Sequence, residues 1–278
     1  MTPSPTRGAV LLVAAMGAFS LSDVLAKQLA PSLAPAQVAW VRYALLLVTV
    51  LPWARRPAAW RTRHPLLHGG RVAGLIGSAV LFQHAIHAMP VAEATAMVFA
   101  SPLFVTMLAA LALREPVSGR RWLAVLLGFA GVLVVVRPGR LAFGGAEVFP
   151  LLSSMAWACA VICTRRLASE SVQTAMLYPA LAGALLLAPW LPAADALASP
   201  PQALTALAMA ASWCAAQWLT VLAYRTASAS SIAPFAYSQL LWAGLLGAAI
   251  FGHVPHGMAL AGMALILLSG VLAARAAL

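Results

Sequence analysis

Ten apolar runs, each bounded by Gly, Pro or clustered charges, divide the chain at 9–28, 36–53, 72–89, 92–113, 120–136, 146–164, 172–191, 203–224, 231–252 and 257–274. Each run approaches the roughly 20 residues that a helix needs to cross a bilayer. The joint Met89-Pro90-Val91 between the third and fourth runs is tight, and proline there stops one helix before the next begins. The pattern predicts an all-α membrane protein with ten transmembrane helices.

Composition agrees. Of 278 residues 63% are hydrophobic and 8% charged, with a mean hydropathy of +0.93. A soluble domain carries about a quarter charged residues, so this chain lacks the polar surface to coat a body in water. The connectors are too short for a large soluble domain. The net charge of +11, from 17 Lys and Arg against 6 Asp and Glu, sits in the gaps between runs and forms no basic stripe with stacking aromatics. Nucleic acid is therefore not an expected partner.

The position of the charges orients the chain. Arg7, Arg55, Arg56, Arg61, Arg63, Arg71, Arg114, Arg120, Arg121, Arg165, Arg166, Arg225 and Arg275 all fall on one side of ten spans, with Arg137 and Arg140 on the other. An excess of Lys and Arg marks cytoplasmic loops, which places both termini in the cytoplasm. Asp23 and Lys27 stand where a signal-peptide cleavage site would fall, so the first run reads as a retained span. Cys159, Cys163 and Cys214 lie inside runs as small apolar fillers. Neither a metal nor a cofactor is expected from their spacing.

Shifting the chain by 139 positions, half its length, lays Lys27 on Arg166, Pro116 on Pro255 and Gly131-Val132-Leu133 on Gly270-Val271-Leu272. Each half, 1–139 and 140–278, then holds five runs. Five is odd, so the second half must enter the membrane in the opposite sense, giving two inverted five-helix repeats around a central cavity. Such repeats supply inward- and outward-facing states for alternating access.

The ten-run layout, the five-plus-five division, the basic residue ending the first helix of each half, and Arg114-Glu115-Pro116 followed by Gly128-Phe129-Ala130-Gly131 together resemble the EamA-type drug/metabolite transporter superfamily. The resemblance covers the whole chain. It implies a basket-like ten-helix exporter of small metabolites. Among the superfamily's substrate classes the chain is most similar to bacterial amino-acid exporters, including those for aromatic amino acids. Val254 stands where the family often repeats the acidic residue of Glu115, so Glu115 reads as a loop or helix-end anchor.

Ionisable groups at membrane depth are costly and usually face a cavity or a partner. Asp23, Lys27, Arg42, His84, His87 and Glu93 are the candidates. Asp23 and Lys27 are four residues apart with the acid first, a spacing that lets them pair along one helix. They either lock the first helix or, with Arg42, form an outer gate for charged ends of a substrate. Helical spacing also groups His84 with Gln83 beside it, Phe99 with Thr95, Trp157 with Ser153, and Trp213 with Gln217 and Tyr224. In the ninth run Ser238 and Trp242 share a stripe, with Tyr237 adjacent. These are the substrate-cavity candidates, each as compatible with core packing as with substrate contact. Pro102 and Pro234 interrupt corresponding helices of the two halves and are hinge candidates. Trp53, Trp122 and Trp190 read as interfacial belt residues.

The leading function is a secondary transporter, a monomer in the lipid bilayer, that exports an amino acid or similar small metabolite. No Walker A sequence is present to use ATP directly. Another metabolite or a cationic drug is the nearest alternative. An intramembrane lipid-modifying enzyme would need His84 and His87 with Asp23 or Glu93, and no G-x-S-x-G or H-E-x-x-H sequence accompanies them.

Overall fold

A computed structural model describes residues 5–55, 57–112, 119–136, 144–167, 170–192, 199–226, 233–252 and 255–276. The helices are α1 (Pro5–Gln28), α2 (Pro35–Ala54), α3 (Pro65–Ala88), α4 (Val91–Val98), α5 (Ser101–Ala112), α6 (Gly119–Val136), α7 (Val148–Arg166), α8 (Val172–Leu186), α9 (Pro200–Thr226), α10 (Ser238–Phe251) and α11 (Gly257–Ala276). Among the described residues there is no strand. Prolines at the starts of α2, α3 and α9 suit a first turn, where the missing N–H has no intrahelical role. Ser171 caps α8 by accepting from the Thr174 N–H at 3.1 Å.

These eleven segments make ten spans because α4 and α5 are one span broken at Phe99–Ala100. Pro102 explains the break: it has no N–H for the Val98 carbonyl, and its ring would clash there. The ninth span is interrupted too, with a 3-10 turn at Ala233–Tyr237 leading into α10. Large apolar side chains on the outside, among them Leu111, Leu123 and Leu245, suit contact with lipid. The chain is an all-α multi-pass membrane protein.

Helix packing follows a twofold pattern. The first span, α1, lies on the eighth, α9; the third, α3, lies on the sixth, α7. The second packs on the seventh (α2 on α8), the fourth on the ninth (α4 on α10) and the fifth on the tenth (α6 on α11). Numbering the second half afresh from one to five, one meets three and three meets one, while two, four and five meet their own counterparts. That is the arrangement of two five-helix halves related by a pseudo-twofold axis.

Small residues let the pairs approach. A Cβ on Gly74 would lie 2.6 Å from the Ala156 carbonyl oxygen, fixing α3 against α7. Gly131 and Gly262 face each other across α6 and α11, each barring a side chain on the other. Ser153 Oγ donates to the Ser78 carbonyl at 2.9 Å, a polar clasp on the α3–α7 seam. A Cβ on Gly244 or Gly247, whose spacing also suggests close packing, would meet nothing within 4 Å.

Candidate functional site

The two broken spans bring aromatic rings together where they are interrupted. Phe99, in the turn between α4 and α5, stacks on Tyr237, the last residue before α10, with ring centroids 5.0 Å apart and planes 20° from parallel. A narrow cavity of about 30 Å³ lies beside them, its other walls including Pro102, Gly128 and Ser269. A second cavity of about 210 Å³ lies between the start of α4 and the end of α10, walled by Pro90, Val91, Glu93, Phe251 and Pro255. Across it His256 Nδ1 is 3.4 Å from Glu93 Oε1. Broken helices facing each other across two repeats are where transporters expose backbone and side-chain groups to a substrate.

The polar residues of α1 to α3 are paired differently from the helical spacing. Asp23 does not meet Lys27; its Oδ1 accepts from Arg42 Nη2 at 2.9 Å, and both side chains are buried. Lys27 turns to α3, donating to the carbonyls of Ile86 at 2.8 Å and Met89 at 2.7 Å. The reason is geometric. The last carbonyls of α3 have no intrahelical donor, and Lys27 stands at their level. The guanidinium of Arg42 is buried in the bundle and takes Asp23 as its counter-charge.

Other candidates separate into packed, half-buried and exposed. Trp213 is only 8% exposed and meets Tyr43 edge to face at 5.3 Å, inside a core cluster. His84 donates through Nδ1–H to the Val80 carbonyl at 2.9 Å, and its ring lies 5.3 Å from the Phe149 ring. Gln83 is fully buried. Gln217 is half-buried, as is Ser238, whose hydroxyl donates to the Phe235 carbonyl at 2.6 Å. Trp242 is 36% exposed, and its indole covers Gly17 of α1. Trp157 is 44% exposed. Pro102 sits in the first turn of α5, just past the break. The Tyr224 and Pro234 side chains, Glu115, Arg137 and Arg140 lie outside the described residues.

A network on the face where α1 begins escaped the sequence reading. Glu170, between α7 and α8, accepts from Thr62 Oγ1 at 2.7 Å and the Arg63 N–H at 3.2 Å, and its Oε2 lies 2.6 Å from His68 Nε2. Burial by itself would push this carboxyl up, but its hydrogen bonds outweigh that and hold it below the ordinary glutamate value. The Tyr178 hydroxyl donates to the Trp60 carbonyl at 2.9 Å; Arg71 donates to Thr164 Oγ1 at 2.8 Å and to the Ala175 carbonyl. The loop before α3 is thereby tied to the second half. A lone acid four residues after Arg166 is the only signal of it in the sequence.

The EamA-like transporter family matches the chain twice, over residues 6–137 and 145–275. A riboflavin transporter of Rhizobium johnstonii is 31% identical over 240 residues, covering 82% of this chain and 78% of that protein. An S-adenosylmethionine uptake transporter of Rickettsia prowazekii is 27% identical over 61% of this chain and 59% of that one. A crystal structure 18% identical in sequence covers 99% of both chains with a TM-score of 0.68, a likeness of fold.

Proposed function

The chain belongs to the EamA-like transporter family, and from that premise we propose that it is a secondary transporter for a small metabolite built on a flat heteroaromatic ring, riboflavin being the first compound to test. The single observation that carries the ring is the Phe99–Tyr237 stack at the two helix breaks. Stacked rings that part by a few ångströms offer two faces to a third ring, and the aromatic pairing lost on parting is regained on the substrate. The 31% identity to a protein named as a riboflavin transporter supports the same substrate chemistry.

The halves 1–139 and 140–278 exchange outward- and inward-facing states around this seam, with Pro102 and Pro234 as hinges. In this reading the protein acts as a monomer in the bacterial inner membrane with both termini cytoplasmic, an orientation that the thirteen basic residues on one side support. Export of aromatic amino acids, the expectation from the sequence, stands as the second reading, because their rings would use the same stack.

Counterflow in proteoliposomes tests both readings and is indifferent to direction. Vesicles preloaded with unlabelled riboflavin should accumulate labelled riboflavin transiently and empty liposomes should not. Accumulation of labelled tryptophan or phenylalanine alone would favour the second reading; no accumulation of any of these would sink both.

A further inference from the structure

Gln83 of α3 has no exposed surface, and neither its Oε1 nor its Nε2 meets a hydrogen-bond partner in the protein. A buried amide in that state carries its desolvation cost uncompensated, where Leu or Met would carry none. Packing does not ask for it. Val72 and Ile76, on the same stripe of α3, are apolar and sit in a core cluster with Tyr43 and Trp213.

Two more buried polar atoms are in the same condition close by in the chain. His87 Nε2 lies one turn further along α3, and Thr95 Oγ1 lies one turn before Phe99 on α4. The helices are joined only by Met89 and Pro90, so Gln83, six residues before Met89, and Thr95, five after Pro90, stand at nearly the same depth. The charged groups of this region are already committed, Asp23 to Arg42 and Lys27 to the end of α3. An uncharged donor and acceptor held side by side are what the region has to offer.

We infer that Gln83 is a specificity-determining residue of the transport path, whose amide reads a neutral donor–acceptor edge of the substrate, an imide or lactam, when the bundle opens beside α3. Nε2–H donates to the ring carbonyl and Oε1 accepts from the ring N–H. A carboxylate would satisfy only the donor and an ammonium only the acceptor, so neither is a full match. The inference rests on the flat-ring reading above and names the edge of that ring which is recognised.

The experiment compares labelled riboflavin, which carries an imide N–H, with its N3-methyl derivative, which does not, in wild-type and Gln83→Met proteoliposomes. Thermal unfolding of both proteins in detergent runs alongside. The expected result is that wild type moves riboflavin about tenfold or more faster than the methylated compound. Gln83→Met should bring that ratio near one by slowing riboflavin, while unfolding at the wild-type temperature or above. A Gln83→Met protein that keeps the wild-type rate and ratio overturns the inference and leaves the flat-ring reading standing. So does one that loses both transport and several degrees of thermal stability, which assigns the amide a structural part. Wild type that moves neither flavin overturns the ring reading and the inference together.

Discussion

Phe99 and Tyr237 stack with their centroids 5.0 Å apart although 138 positions separate them in the chain, and each sits at the break of the fourth span of its own half. The 139-residue shift lays Phe99 on Ser238, the immediate neighbour of Tyr237. The two rings are thus near-equivalents under the pseudo-twofold axis, meeting on it.

Removing either ring should abolish the shared stack. Phe99→Ala and Tyr237→Ala are each expected to slow counterflow by about tenfold or more, with a stability loss that includes about 0.5–1.5 kcal/mol for the aromatic pairing itself. Phe99→Tyr and Tyr237→Phe should keep most activity. The double alanine variant should lose little beyond the worse single one, because the partners share one interaction. Initial rates in proteoliposomes check this.

Gly270 of α11 offers a test away from the seam. A Cβ there would overlap the Tyr237 ring, whereas one at Gly244 would meet nothing within 4 Å. Gly270→Ala should shift the tyrosine, lowering both the transport rate and the unfolding temperature; Gly244→Ala should change neither. Equal behaviour of the two variants would disprove the dependence on Tyr237's position.

The buried pair of α1 and α2 should act as a unit. Asp23→Asn or Arg42→Met alone leaves an unmatched group inside the bundle and is expected to cost about 3–5 kcal/mol. Asp23→Leu combined with Arg42→Met should recover most of that. Lys27→Met, which strips two carbonyls at the end of α3 of their donor, should cost about 1–3 kcal/mol. Denaturant unfolding in detergent measures each.

Glu170 predicts a pH dependence. Its carboxyl is held below the ordinary glutamate value of 4.5, so the folded state favours the ionised form more than the unfolded chain does. The contribution is fully present above that value and is lost as pH falls through the lower folded one. Unfolding temperature should therefore fall with pH in the acid range, and Glu170→Gln should flatten that part of the curve. An unchanged slope in Glu170→Gln would show that other carboxylates set it.

Much of the fold was legible because burial in lipid acts residue by residue. The run 120–136 is α6 to within one residue, and 257–274 is α11 shortened by two. The apolar pattern starts the third run at 72, yet α3 begins at Pro65. Its first turns carry His68 and Arg71, which break the apolar pattern, and both are buried against or bonded to the second half through Glu170, Thr164 and the Ala175 carbonyl. Their helical state has its reason in a partner about a hundred residues away, which no local window contains.

The membrane, the spans, the two repeats and the family can be read along the chain, since hydrophobic length, charge placement and self-similarity are properties of the chain as a line. Which side chains meet follows from the folded arrangement. It gave Asp23 to Arg42 instead of Lys27, set Phe99 on Tyr237, placed Trp213 in the core and left Gln83 buried without a mate. Spacing along one helix says which residues share a face; what that face meets depends on the crossing of helices from the other half. Hydrogen bonds and ring contacts act over a few ångströms, so they are settled by that crossing and not by the line of the chain.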